Sequence, residues 1–216
     1  MTLSLKLVVA STRPGRAADL VLPWLTDELT TDGRFDVELM DLRDWKLPFF
    51  QEHAGSIGDP SAPSYSEPIV KRWNDTISSS DVVVVLTPEY NHSIPGELKN
   101  ALDSLYLSHA LRNKPLGIVS YTASGTGGAR AVEHLVQILQ NFECIALRSS
   151  VLVGGVGSAF GEDQRPTSVA PAAALEVMID DLAWWGNLLA RARADGELTH
   201  PFVRLGQAVA RRTSAT

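Results

Sequence analysis

Residues 80–88 read SDVVVVLTP, and the five consecutive apolar positions from Val82 to Leu86 decide the fold class. A run this short, with no polar alternation, suits a strand covered on both faces, the kind found in the middle of a parallel sheet. Working outward, the segment before it, 68–79, predicts a helix, and the one after it, from Pro95 to about Tyr106, predicts another. Toward the N-terminus, LSLKLVVA at 3–10 is a first short apolar strand. Leu20, Val21, Trp24, Leu25 and Leu29 then give helical spacing from Ala17 to Thr31, with Gly33 as a stop, and DVELMD at 36–41 alternates as a second strand. Toward the C-terminus the expected elements are a strand at 115–121, a helix at about 127–141, a fifth strand at 144–153 and a long helix at about 172–194.

Five strands alternating with helices predict an α/β, doubly wound, three-layer domain over 1–194. Its five-stranded parallel sheet takes the flavodoxin-like order 2-1-3-4-5, because only five strands are visible. The stretch from Arg43 to Pro68 carries Pro48, Gly55, Gly58, Pro60 and Pro63 and reads as a long surface connection. Residues 195–216 show no core periodicity and are expected to be partly disordered or to lie on a partner subunit.

Composition narrows the function. The 216 residues are 44% apolar, enough for one compact domain with a sizeable core, and their net charge of −6 comes without a Lys/Arg block. Nucleic acid and anionic membrane are therefore not expected partners, and a small organic molecule is. Cys144, the single cysteine, has no partner for an internal disulfide and does not make a thiolate metal site. His53, His92, His109, His134 and His200 have no ligand-type spacing, so no metal is expected. The first ten residues form neither a secretory apolar region nor a span, and the expected compartment is the cytoplasm.

In such sheets ligands sit beyond the carboxyl ends of the strands, which directs attention to three loops. The first, Ser11-Thr12-Arg13-Pro14-Gly15-Arg16, precedes a helix whose unpaired N–H groups and partial positive charge favour an anion, and it reads as a phosphate cradle. It lacks both the GK[ST] ending of a P-loop and the three glycines of a dinucleotide fingerprint. The second, Thr87 to Gly96, offers Tyr90, Ile94, Asn91 and backbone N–H groups to a flat heteroaromatic ring; Glu89 is expected to pair with an arginine, and His92 has no recognisable catalytic partner. The third, Tyr121 to Arg130, is small-residue and glycine-rich, so its backbone can approach a planar ligand closely.

PEYNHSIPGELKNALD at 88–103, with STRPGR at 11–16 and SGTGGARA at 124–131, resembles the NADPH-dependent FMN reductases of flavodoxin-like fold, which include chromate and quinone reductases. The resemblance covers roughly residues 3–190. It implies FMN as cofactor, with Ser11, Arg13 and Arg16 at its phosphate, Pro88, Glu89, Tyr90 and Asn91 along the ribityl chain and ring, and Thr122, Ala123, Ser124 and Gly125 at the pyrimidine edge. Ala10 stands where many relatives have glycine, and Arg16 and Ala18 where several have Ser and Asn. The resemblance also implies a homodimer or homotetramer with the flavin near the subunit interface.

The expected activity is hydride transfer from NADPH or NADH to FMN and onward to a small-molecule acceptor such as a flavin or quinone, with chemistry on FMN N5 and no catalytic side chain. A flavodoxin-type electron carrier without nicotinamide oxidation is the alternative. A flavin-binding regulatory protein without turnover is a third reading, and no residue reads as a clamp for a nicotinamide 2′-phosphate.

Overall fold

The structure, a computed structural model, describes residues 2–58, 62–105, 108–197 and 199–214. Six strands, β1 (Leu3–Val9), β2 (Phe35–Asp41), β3 (Val82–Pro88), β4 (Pro115–Tyr121), β5 (Ile145–Ala146) and β6 (Val151–Val153), form one parallel sheet of order β2-β1-β3-β4-β5, with β6 also paired to β4. The flavodoxin-like order expected from sequence is therefore present. Its fifth strand is two short pieces, both in register with β4, because the chain leaves the ladder at Arg148–Ser150: Ser150 N–H turns back to the Arg148 carbonyl (2.9 Å), and the Ser149 hydroxyl binds Asp181.

Helices cover both faces. On one side α1 (Ala18–Thr31) and α7 (Val169–Asp195) bury Val21, Trp24, Leu25, Leu175, Met178 and Leu182 against Leu5, Leu7, Val84 and Leu86. On the other, α4 (Pro68–Ser78), α5 (Gly96–Asp103) and α6 (Ala129–Asn141) bury Trp73, Ile77, Leu98, Leu102, Leu135 and Leu139 against Val8, Val83, Val85 and Ile118. Successive side chains of β3 alternate between these two cores, which is why 82–86 carries no polar residue.

Several boundaries differ from expectation for local reasons. The long connection holds two single-turn helices, α2 (Leu42–Trp45) and α3 (Ala54–Ile57). α6 starts two residues late because Gly127 and Gly128 take left-handed φ values of 63° and 85°. α7 begins at Val169, where the Ser168 hydroxyl accepts the Ala170 N–H. The expected helix end at Tyr106, and Pro60 of the connection, lie outside the described residues. Within 195–216 the chain forms α8 (Pro201–Thr213), a mostly exposed helix. Among the described residues no helix is long and apolar enough to cross a membrane, and no group of three or more His, Cys, Asp or Glu side chains is placed to hold a metal ion.

Candidate functional site

The three loops meet at the carboxyl rim of β1, β3 and β4. Loop one leaves β1 with Ala10 N–H on the Leu86 carbonyl (2.9 Å) and reverses through Gly15 at φ 63° before α1. α1 starts without a side-chain cap. Among the described residues, no acceptor meets the amides of Thr12, Arg13, Gly15, Arg16 or Ala17. A row of free N–H groups at a helix start is the anion-binding arrangement the sequence implied.

The two arginines of this loop have different surroundings. Arg16 is buried, and its guanidinium donates to both carboxylate oxygens of Asp41, to Asp19 (2.8 Å) and to the Ser11 carbonyl. Burial pushes the Asp41 carboxyl up, but the Arg16 hydrogen bonds and the Arg43 amide more than offset this and leave it below the usual range. Arg16 is held firmly charged by the same contacts. Arg13 is exposed, and its guanidinium carbon lies 5.2 Å from the centroid of the Tyr90 ring. The Ser11 and Tyr90 hydroxyls are 2.7 Å apart, which ties loop one to loop two. Beneath them the Tyr121 hydroxyl is enclosed without a partner of hydrogen-bond geometry, with Tyr90, Ser11 and Ala18 among its electrostatic neighbours; burial raises its pKa.

Loop two reverses at Asn91 and His92, both exposed at positive φ (48° and 73°), and is closed by Tyr90 N–H to Ser93 O (2.9 Å) and Ser93 N–H to Tyr90 O (3.0 Å). Pro95 caps α5 from one residue outside it. Pro88 is the last residue of β3, in register with Tyr121. The Glu89 amide donates to the Tyr121 carbonyl (3.2 Å), and its carboxylate, only 4% exposed, pairs with the Arg130 guanidinium and accepts the Arg130 amide (3.3 Å). Burial pushes this carboxyl up, yet Arg130 holds it below the usual range. Glu89 thus fastens loop two to the first turn of α6. His134 adds a second tie, Nδ1 to the Ser93 hydroxyl (2.9 Å), and stacks with His92.

In loop three the Thr122 amide donates to Val153 O (3.1 Å), and its carbonyl accepts Val156 N–H (3.1 Å). Ser124 O accepts Gly155 N–H (3.0 Å). Ala123, Ser124 and Gly125 are exposed, and their amides have no acceptor among the described residues. A Cβ on Gly128 would lie 1.9 Å from the Ser120 hydroxyl, so the close return of this loop over β4 excludes any side chain there.

The structure therefore brings Ser11, Arg13, Tyr90 and the rim of Pro88, Glu89 and Thr122 together, and it directs Arg16 to Asp41. Sequence reasoning did not single out Asp41, Arg130 as the partner of Glu89, or the Tyr121 hydroxyl. Asp41 had a signal, an acid ending the strand that pairs with β1; its register partner is Val9, two residues before Ser11. The donor set fits FMN. Free amides and Arg13 suit the phosphate dianion, the enclosed Tyr121 hydroxyl lies beneath the same loop, and the exposed amides of 123–125 suit ring carbonyl oxygens.

Comparison with known proteins agrees with this geometry. Residues 4–157 match the family described as NADPH-dependent FMN reductase. The chain is 33% identical over 141 residues to an NAD(P)H-dependent FMN reductase of Schizosaccharomyces pombe, covering 65% of this chain and 68% of that one. It is 35% identical over 146 residues to a quinone reductase of Pseudomonas putida, covering 61% and 76%. Among solved structures it shares its fold with FerB, a flavoenzyme NAD(P)H:(acceptor) oxidoreductase from Paracoccus denitrificans, at a TM-score of 0.67 and 24% identity over 86% of this chain and 98% of that one. The chain belongs to the NADPH-dependent FMN reductase family, a family of flavin-dependent oxidoreductases.

Proposed function

We propose that the protein binds FMN across its three rim loops, oxidises NADPH or NADH, and passes the electrons to a flavin, quinone or similar small acceptor. Family membership supports the cofactor and the co-substrate. The observation that carries the reading is the double row of amides that meet no acceptor among the described residues, at 12, 13, 15–17 and 123–125, on one rim beside Arg13 and Tyr90. Ser11, Arg13 and the loop-one amides hold the phosphate, while Arg16 acts on it by fixing the loop through Asp41. Pro88, Glu89, Tyr90 and Asn91 line the ribityl chain and ring, with Glu89 contributing backbone because its carboxylate belongs to Arg130. Thr122 to Gly125 meet the pyrimidine edge. Bound FMN supplies hydride acceptance at N5 and its return to a second substrate. The chain's part is to bind and orient, and no side chain serves as a general acid or base.

We place the protein in the cytoplasm as a homodimer or homotetramer. Cys144 is buried, donates to the Lys114 carbonyl (3.3 Å) and has its pKa pushed up by burial to about 12, so it is an inert thiol suited to a reducing compartment. Trp184 (62% exposed) is a large apolar surface suited to a subunit contact. The test is spectroscopic. The purified protein is expected to show flavin absorption that NADPH or NADH bleaches rapidly without oxygen and that a quinone restores. A colourless protein that takes up no FMN overturns the reading, and a yellow protein that neither nicotinamide bleaches makes it an electron carrier.

A further inference from the structure

Beside the rim, and touching it at Thr12 of loop one and Gly96 at the end of loop two, lies a cavity of about 450 Å³ lined by Leu42, Arg43, Lys46, Leu47, Phe49, Glu97 and Asn100. The three-loop site makes no use of it. Its size is within the range that holds a small organic ligand. One wall is apolar, from Leu42, Leu47 and the almost fully exposed ring of Phe49. That wall is preformed: Asn100 accepts the Phe50 N–H at Oδ1 (2.9 Å) and donates from Nδ2 to the Pro48 carbonyl (2.8 Å), clamping the 48–50 segment to α5.

Two cations flank the cavity. Arg43 spends one terminal nitrogen on the Arg13 carbonyl (3.1 Å) and lies 3.7 Å from Asp19, leaving Nε and the other terminal nitrogen uncommitted. Lys46 has no hydrogen-bond or ion-pair partner among the described residues, and its backbone is left-handed (φ 45°, ψ 44°) at the end of α2. A lysine rather than a glycine at such a position carries strain of roughly 1–2 kcal/mol, and strain of that kind gathers at ligand sites. Glu97, the one carboxylate on the wall, accepts a hydrogen bond from the Thr12 hydroxyl (3.1 Å).

An apolar shelf beside a lysine unpaired among the described residues and an arginine with two nitrogens still free suits a flat ring carrying a multiply charged anion. We infer that this cavity takes the adenosine 2′-phosphate end of NADPH, with the adenine against Phe49 and Leu47 and the phosphate between Arg43 and Lys46, so that these two side chains set a preference for NADPH over NADH. The inference rests on the proposed oxidation of nicotinamide at the neighbouring loops. A guanidinium and an ammonium each give a phosphate charge-assisted hydrogen bonds, and losing one such contact weakens binding about tenfold or more.

The test is calorimetric titration of the FMN-loaded protein with adenosine 2′,5′-bisphosphate and with AMP. The bisphosphate is expected to bind at least about tenfold more tightly. Arg43→Ala combined with Lys46→Ala should abolish that preference, and Arg43→Lys with Lys46→Arg should keep most of it; Lys46→Ala alone, which removes no bond to loop one, should weaken the preference while leaving AMP affinity and FMN retention unchanged. In turnover Lys46→Ala should raise KM for NADPH and leave KM for NADH and kcat unaltered. Equal affinity of the wild type for the two nucleotides overturns the inference, as does a preference that survives the alanine pair or a KM shift confined to the electron acceptor. Failure of the underlying reading looks different, since neither nicotinamide would then bleach the flavin.

Discussion

Two of the buried cations, Arg16 and Lys114, stand at opposite ends of the sheet, and their neutralisation differs. At the carboxyl rim the Arg16 side chain, 3% exposed, is met by two carboxylates, Asp41 and Asp19, and by the Ser11 carbonyl. At the amino edge, Lys114 makes no ion pair with a carboxylate among the described residues, with Asp81 and Glu197 acting only at longer range; its Nζ donates to the Ile77 (2.9 Å) and Ser78 (2.6 Å) carbonyls at the C-terminal end of α4. Helix-end carbonyls carry partial negative charge and suit a cation, but they do not balance a whole one. Burial, helped by nearby Arg193, accordingly pulls the Lys114 pKa down to about 7, whereas Arg16 stays charged. The rim proposed to bind FMN has thus balanced its buried charge internally, which under that proposal leaves an incoming phosphate to the groups still free there, Arg13 and the loop amides.

The largest effect should come from Arg16→Leu. Asp41, its side chain 13% exposed, would keep its charge without its partner, and breaking a buried pair from one side costs about 3–5 kcal/mol. Urea unfolding should register that loss, and Arg16→Leu with Asp41→Leu should recover most of it. If the double variant regains stability and also holds FMN, Arg16 shapes the loop; stability regained with FMN lost would move Arg16 to the phosphate and break the contrast.

Lys114→Met tests the other end. The unfolded lysine titrates near its usual 10.5 and the folded one at about 7, so between those values the unfolded chain holds the extra proton and stability rises with pH. The slope from this group is at most ~1.4 kcal/mol per pH unit, and below 7, where both states are protonated, it vanishes. Unfolding free energies at a series of pH values from 6 to 10 should therefore climb more steeply in the wild type than in Lys114→Met. Identical slopes would mean that the α4 carbonyls hold the ammonium charged.

What the sequence made legible follows from the range of the forces involved. The central strand, the order of elements and the three loops are written in local patterns: an unbroken apolar run, helical spacing, glycine clusters. The charge pairs are not, because Asp41 stands 25 residues from Arg16 and Glu89 stands 41 from Arg130, and they meet only once the parallel register is in place. The break between β5 and β6 was hidden for a similar reason: Ser149 leaves the ladder for Asp181 of α7, 32 residues on. α8 does carry apolar residues at helical spacing, and it differs from the other helices in that Val203, Leu205 and Val209 stay exposed rather than facing the core.

The smallest structural effect, and the sharpest functional one, belongs to Arg13→Ala. Arg13 is exposed and has no carboxylate partner among the described residues; its contact is the Tyr90 ring at 5.2 Å, and Tyr90 keeps its hydrogen bond to Ser11 without it. Unfolding in urea should therefore be unchanged. FMN affinity, followed by recovery of flavin fluorescence on release, should fall about tenfold, the loss of one charge-assisted bond to phosphate. The deficit should shrink as salt is raised, because an exposed cation's pull is screened within about 8 Å at physiological ionic strength. Arg13→Lys should restore part of the affinity, since an ammonium replaces the charge but not the fork. An Arg13→Ala protein that holds FMN as tightly as the wild type would leave the phosphate to the amides of 12–17 alone, and the free arginine of this loop would then contribute as little to the cofactor as the buried one.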